Sequence, residues 1–341
     1  MKIINKNELI ILDNENGLEL CLCCVGASIF DIKVIDKDNN LESVVIRPNS
    51  IENFIYHKDY YGKTIGRFAG RIDKGKCVIN NKQYNIPLNW KNVGALHGGK
   101  DDAISHKVWH YKIESNNNYV DVIFTYKEAE HYLPGDINYK VIYRVYNFVN
   151  KFDILIEATP NKETLINPTN HAYFNLSGNG KHTILNQNLQ LFCNKYTRLN
   201  NELITLSIDE VNNIMDFKNA KKIGKDILDL SLQNHTSFGY DHCFIKEDEN
   251  LDVIAILSDE ISKRRLTVST SLPSIVCYST NYPDQSMDFN VLNNKLLKYH
   301  AITLECQYIP NGINMDNVNK AIYKENEKYS NYISYNFDIM L

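Results

Sequence analysis

Glycine and proline are scarce in this sequence, at 15 and 8 of 341 residues. Without a three-residue period that supply excludes a collagen-like chain, and no Pro/Gly/Ser-rich stretch offers a linker at which the chain would divide. Charge of either sign is also lacking in excess. Lys and Arg number 37 against 41 Asp and Glu, a formal net charge of −4, which argues against nucleic acid or an acidic membrane surface as a partner. No run of about 20 mostly apolar residues is present to span a bilayer as a helix. Charges at Lys2, Lys6, Glu8, Asp13, Glu15 and Glu19 leave no place for the apolar core of a signal peptide. HExxH, GxSxG and GxGxxG are absent, so zinc-protease, serine-hydrolase and dinucleotide-binding readings have no support. Helical periodicity is scarce as well. Its best instance is Ala220–Leu230, where Ile223, Ile227 and Leu230 recur at helical spacing. With no strands alternating with long helices, a doubly wound or barrel α/β fold is excluded.

What the sequence does have is alternation of period two, the mark of half-buried strands. Glu8–Leu12 and Leu18–Cys24 flank Asn14-Glu15-Asn16-Gly17, and Ser28–Ile35 and Ser43–Ile46 flank Asp38-Asn39-Asn40. Each pair reads as two strands around a turn. Further strands are expected at Tyr119–Tyr126, Asn138–Phe148, Phe152–Thr159, Ser237–Ile245, Leu251–Leu257, Arg265–Thr270, Ser274–Ser279 and His300–Gln307. The abundance of Tyr (22) and Phe (13) suits pleated surfaces. The expected fold is all-β, a large antiparallel β-sandwich with few short helices, with residues 1–341 as a single domain. Eight cysteines lie inside apolar alternating segments, which fits reduced thiols packed as small hydrophobes and predicts a cytoplasmic protein. Cys21 and Cys24 form a CxxC with no second pair, so no metal is expected. Asn234-His235-Thr236 would carry a glycan only in a secreted chain.

Several fragments carry polar chemistry. In Asn170–Gly178, read as a strand, His171, Tyr173 and Asn175 share one face and Ala172, Phe174 and Leu176 the other. The first face is either a site or a buried structural network. In Thr303–Gln307, Glu305 and Gln307 face opposite to Leu304 and Cys306. A Glu among apolar neighbours should have a raised pKa, as a general base requires, unless it lies on an exposed edge. Leu96-His97-Gly98-Gly99 places an imidazole before two glycines that allow close backbone approach. Tyr240-Asp241-His242 sets an Asp at a strand entrance, where a turn or cap is the alternative. Gly66–Ile72 holds Arg67 and Arg71 among glycines, with a structural ion pair as the default. Gly62-Lys63-Thr64 mimics the end of a P-loop, but His57 stands where its first glycine belongs. His106 and His110 lack a third ligand and read as strand or surface.

In their order along most of the chain, these fragments resemble the aldose 1-epimerases, also called galactose mutarotases. The resemblance runs from Gly26-Ala27-Ser28 through the 66–72, 96–99 and 170–178 segments. It continues through Asp216-Phe217, Tyr240-Asp241-His242 and Pro273–Asn281 to Leu304–Gln307, with Pro310 and Asn314. It implies the galactose mutarotase-like supersandwich and interconversion of sugar anomers without a cofactor. It implies Glu305 as the base at the C1 hydroxyl, His171 as the acid at the ring oxygen, and His97 assisting there. Arg71 and Asp241 would orient sugar hydroxyls, with Tyr173 and Gln307 also against the substrate. The expected partner is a monosaccharide such as galactose or glucose, bound by a monomer or homodimer. The chain departs from the family at three positions. Gly70 stands where Asn commonly precedes the arginine, Val276 replaces a frequent Gln, and Asn311 replaces an acidic residue after Pro310. Two other readings remain open. One is a hexose-phosphate epimerase using the basic cluster Lys263, Arg264 and Arg265, and the other a sugar-binding sandwich without catalysis.

Overall fold

A computed structural model describes residues 1–6, 8–57, 59–99, 103–233, 235 and 237–341. Asn234 and Thr236 of the glycosylation triplet lie outside them. Three antiparallel sheets dominate. A five-stranded sheet follows chain order: Lys2–Lys6, Leu9–Asp13, Leu18–Cys23, Ser28–Ile35 and Leu41–Ser43. The turn between its second and third strands closes because the Asn14 side chain accepts from the Asn16 and Leu18 amides, while Glu15 and Gly17 take positive φ.

The largest sheet has nine strands. Four form a meander, His110–Ser115, Tyr119–Glu128, Ile137–Tyr146 and Lys151–Pro160. The order then jumps to Tyr329–Ile339 and runs on through Arg264–Thr270, Val253–Ser258, Asn188–Leu191 and Lys221–Lys222. A six-stranded sheet runs Tyr173–Phe174, Ile302–Gln307, Ser274–Tyr278, Asp241–Lys246, Cys193–Leu199 and Thr205–Glu210. The two larger sheets share one hydrophobic core, in which Phe124, Phe152 and Tyr335 from the former join Phe244, Ile275 and Leu304 from the latter. The rings of Phe174 and Tyr335 meet across the gap with centroids 5.1 Å apart. Burying apolar area on this scale, at roughly 25 cal/mol per Å², is what holds the layers together.

All eight cysteines are free thiols, seven buried and Cys24 half-buried. Among the described residues no helix is long and apolar enough to cross a membrane.

The expected helix at Ala220–Leu230 does not form. Lys221–Lys222 pair with Asn188–Leu189 as a strand, Ile223–Lys225 make a single 3-10 turn, and an α-helix appears only at Leu230–Gln233. The Ile223 amide is taken by the Gln187 carbonyl, so sheet pairing claims the backbone that a helix would need. Ile223 and Ile227 are buried in the core, but Leu230 is 71% exposed. The expected strand at Ser43–Ile46 is displaced to Leu41–Ser43, and that at Ser237–Ile245 begins only at Asp241.

Candidate active site

The six-stranded sheet gives the site its floor. Alternation along Ile302–Gln307 sends Leu304 and Cys306 into the core shared by the sheets, and Glu305 and Gln307 into a cleft on the opposite face. Cross-strand register extends that floor: Val276 lies beside Glu305, and Cys243 beside Val276. One step along the strands, Asp241 pairs with Tyr278. The cleft has a volume of about 370 Å³, at the small end of the roughly 300–1,000 Å³ of ligand pockets. Glu305, His171, His97, Arg71, Asp241, Tyr173 and Gln307 all line it. The structure thus gathers in one cavity seven residues that span 71 to 307 in the chain.

Two loops form the wall above this floor. His171 follows the short strand Thr169–Asn170, which pairs with Thr64–Ile65. Its amide donates to the Lys63 carbonyl at 3.0 Å and its carbonyl accepts from Gly62 at 2.9 Å. His97 follows Gly94–Leu96, which pairs with Arg71–Asp73 and so sets the imidazole beside Arg71. The turn after His97 requires glycine: a Cβ on Gly98, at φ +83°, would come within 1.9 Å of the Gly66 carbonyl oxygen.

The polar atoms of the cleft are only partly satisfied. Glu305 Oε1 accepts from Thr303 Oγ1 at 2.8 Å and lies 3.3 Å from His171 Nε2. Among the described residues, Glu305 Oε2, both amide atoms of Gln307 and Arg71 Nε have no hydrogen-bond partner although buried. Arg71 Nη2 donates to Asp241 Oδ2 at 3.0 Å, and its guanidinium lies 4.2 Å from the centre of the Trp90 ring. Unpaired polar atoms cost about 1–3 kcal/mol each, so the cleft is built for a ligand rich in hydroxyls.

Burial pushes Glu305, Asp241, His171 and His97 toward their neutral forms. It raises Glu305 to about 8 and lowers His171 to about 3. Burial also holds His97 well below the usual histidine value, with the nearby His171 and Arg71 adding to the effect. The Asp241 carboxyl is raised by burial, which outweighs the pull of Arg71. His171 and Glu305 therefore hold one proton between them across a short gap.

His97, His171 and Glu305 offer three donor atoms within 4.8 Å of one another, as do His57, Asp59 and Asp284. Hydrogen bonding disqualifies both histidines that would complete these sets. His97 Nδ1 accepts from the Gly70 amide at 3.2 Å, so in the neutral ring Nε2 carries the proton and no lone pair is left for a metal. His57 Nδ1 accepts from the Asp59 amide at 3.0 Å, and its other nitrogen donates to Asp284 at 2.9 Å.

Some polar residues singled out in the sequence lie elsewhere. Asn175 does not share the cleft with His171 and Tyr173, because the 170–178 segment is not one strand. Its amide donates to the His182 and His300 carbonyls and accepts from Ser177 and Gln187, a buried structural network. Arg67 is buried against Glu128 and the Pro134 and Gly135 carbonyls. His110 is exposed, and His106 Nδ1 lies 3.2 Å from Lys63 Nζ. The Lys263–Arg265 cluster does not line the cleft. Arg264 is fully buried and bound to Glu42, and Arg265 pairs with Asp338. Asn311 serves its turn, accepting from the Asp73 amide and from Asn314.

Sequence reasoning passed over Tyr60 and Trp90, which also line the cleft. The signals were faint: Tyr60 heads the glycine-rich segment, and Trp90 is one of only two tryptophans.

A β-sandwich with a polar cleft in which a carboxyl and an imidazole lie 3.3 Å apart has the arrangement suited to acid–base chemistry on a hydroxyl-rich substrate. The family model for aldose 1-epimerase matches residues 8–336, and the chain belongs to that family, whose reaction is an isomerisation. It is 26% identical to the galactose mutarotase of Mus musculus over 318 residues, covering 92% of this chain and 89% of that one. It is 28% identical to the aldose 1-epimerase of Streptococcus thermophilus over 317 residues, covering 89% and 87%. Among solved structures, galactose 1-epimerase from Lactobacillus acidophilus superposes with a TM-score of 0.84 at 26% identity, covering 100% and 98%. The GalM/aldose epimerase homologue from C. elegans shares the fold with a TM-score of 0.85 at 24% identity, covering 98% and 99%.

Proposed function

We propose that this chain interconverts the α and β anomers of a free hexose such as D-galactose or D-glucose, with Glu305 and His171 as the proton-transfer pair. The observation that carries the reading is the 3.3 Å approach of His171 Nε2 to Glu305 Oε1, with Oε2 left unpaired toward the cleft. The two groups share one proton, and carboxylate with imidazolium is the same proton count as carboxylic acid with imidazole. A sugar hydroxyl donating to Oε2, with Arg71 nearby, favours the carboxylate and moves the proton to His171.

Glu305 then takes the proton from the C1 hydroxyl while His171 gives its proton to the ring oxygen. The bond from C1 to the ring oxygen breaks and C1 becomes an aldehyde carbon. Rotation about C1–C2 presents the other face, and the transfers run backwards to close the ring as the opposite anomer. His97, fixed as an Nε2–H donor, supports the ring oxygen or a neighbouring hydroxyl. Arg71, Asp241 and Gln307 hold hydroxyls, Tyr173 packs against the ring, and Val276 lays an apolar patch beneath it. Each well-placed acid or base supplies about 10²–10⁴ in rate. The hydrophobic core drawing on residues from Ile10 to Phe337 supports residues 1–341 working as one domain.

Polarimetry on freshly dissolved α-D-galactose and α-D-glucose tests the reading. Decay of rotation faster than in buffer is expected, and Glu305→Gln should lose most of that acceleration while keeping its thermal melt. A wild-type protein that leaves the buffer rate unchanged would falsify it.

A further inference from the structure

A catalytic histidine is ordinarily held by a hydrogen bond at the ring nitrogen that faces away from the substrate. His171 lacks one. Among the described residues its Nδ1 meets no hydrogen-bond partner beyond its own backbone, and Nε2 lies 3.3 Å from Glu305 Oε1. Rings surround it instead. His97 lies edge-on with centroids 5.2 Å apart, Tyr173 at 5.1 Å, and Tyr60 at 6.0 Å. Tyr173 belongs to the same short segment as His171 and moves with it. Tyr60 comes from a different loop, between the helix Ile51–Tyr56 and the strand Thr64–Ile65. Its ring also meets His97 at 4.7 Å and His106 at 5.7 Å, so it is the tyrosine that packs against both cleft imidazoles.

The loop is braced from behind. The Lys63 amide donates to the Tyr60 carbonyl at 3.0 Å. Lys63 itself is fully buried, and its ammonium reaches the Ile55 and His57 carbonyls at 3.3 Å and His106 Nδ1 at 3.2 Å. Such a cage fixes where the tyrosine ring stands without touching the cleft.

We propose that Tyr60 is a positioning residue of the acid–base site, its ring taking the place of the missing hydrogen bond by holding His171 and His97 in orientation and closing their side of the cleft to water. This rests on reading His171 and Glu305 as the proton-transfer pair. Glu305, Arg71 and His97 face His171 from the floor and walls. Asp59, beside Tyr60 in the chain, also lines the cleft, while His106 and Lys63 stand behind the Tyr60 ring. None of these donates to His171 Nδ1, so the ring packing is what remains to orient it. Removing the ring admits water beside a histidine that burial holds down at about 3, and its titration should move up toward the ordinary 6.5.

The test pairs kinetics with NMR titration of isotope-labelled histidine, assigned through His171→Gln, in Tyr60→Leu, Tyr60→Met and Tyr60→Phe. The Leu and Met variants should lose between about tenfold and 10²-fold in kcat with KM little changed, and the His171 titration should rise. Tyr60→Phe keeps the ring and should match wild type in both. Met, flexible and bulkier than Leu, stands in if the Leu variant melts below the assay temperature. Wild-type kcat and an unmoved His171 titration in the ringless variants overturn the proposal. So does a Phe variant as impaired as Leu, because the hydroxyl would then touch substrate. The titration reads the imidazole whether or not a sugar turns over, so a wild-type protein without anomer exchange overturns the function and leaves the positioning result standing.

Discussion

Two arginines four residues apart divide the work of the glycine-rich segment. Arg67 is 1% exposed and spends its donors on Glu128, two carbonyls and Thr164. Arg71 keeps one nitrogen unpaired at the cleft. Arg67→Ala would leave the buried Glu128 carboxylate with only His131 beside it and should cost about 3–5 kcal/mol, visible as a lowered melting temperature. Arg71→Ala removes the partner of the buried Asp241 carboxyl and should also lower the melt, but unlike Arg67→Ala it should raise KM for the sugar, which steady-state kinetics would separate. If Glu305 and His171 are the proton-transfer pair proposed above, their shared proton sets the pH response. With Glu305 raised to about 8 and His171 lowered to about 3, the one-proton pair persists across the neutral range. As pH rises through about 8 that proton leaves, nothing remains to protonate the ring oxygen, and kcat/KM falls. An acid limb centred on 6.5, where a free histidine titrates, would show that the two groups ionise independently.

Among the elements, strands rich in β-branched and aromatic residues between turn signals were legible in the sequence. Leu9–Asp13, Ser28–Ile35, Lys151–Pro160 and Ser274–Tyr278 fall within a residue or so of their expected bounds. The strand Ile302–Gln307 was legible down to the faces of Glu305 and Gln307, because alternation alone fixes them. The 170–178 segment was not. Its hydrogen bonds go to the 62–65 region and to Val44 in alternation, pairings between residues more than 100 apart that no local pattern encodes. The 220–230 segment failed for the same reason, with a helical spacing of apolar residues overruled by pairing to Asn188–Leu189. Tyr60 and Trp90 escaped because an aromatic residue in a loop looks alike whether it walls a cleft or caps a core. The loop bearing Gly70 shows how tightly such long-range contacts are fitted. Gly70 has φ +74°, and an added Cβ would stand 2.6 Å from Pro310 Cβ. Gly70→Asn should therefore displace Pro310 and cost about 1–3 kcal/mol, measured as a drop in denaturant midpoint, rather than simply add a hydrogen bond to the sugar.

At the scale of the whole molecule, the C-terminal strand governs assembly. Tyr329–Ile339 lies inside the nine-stranded sheet, paired with Lys151–Pro160 on one side and Arg264–Thr270 on the other. It contributes Ile333, Tyr335 and Phe337 to the core. Deleting residues 329–341 should abolish the cooperative melt and the soluble fraction together, which expression and circular dichroism would register. The same placement bears on how the chain is made. Synthesis runs from the first residue to the last, so the meander and the strands that follow it wait with open hydrogen-bonding edges until the closing piece arrives. Such late, non-local closure is slow, and it leaves the growing chain's open edges exposed to mis-association until the central gap is filled.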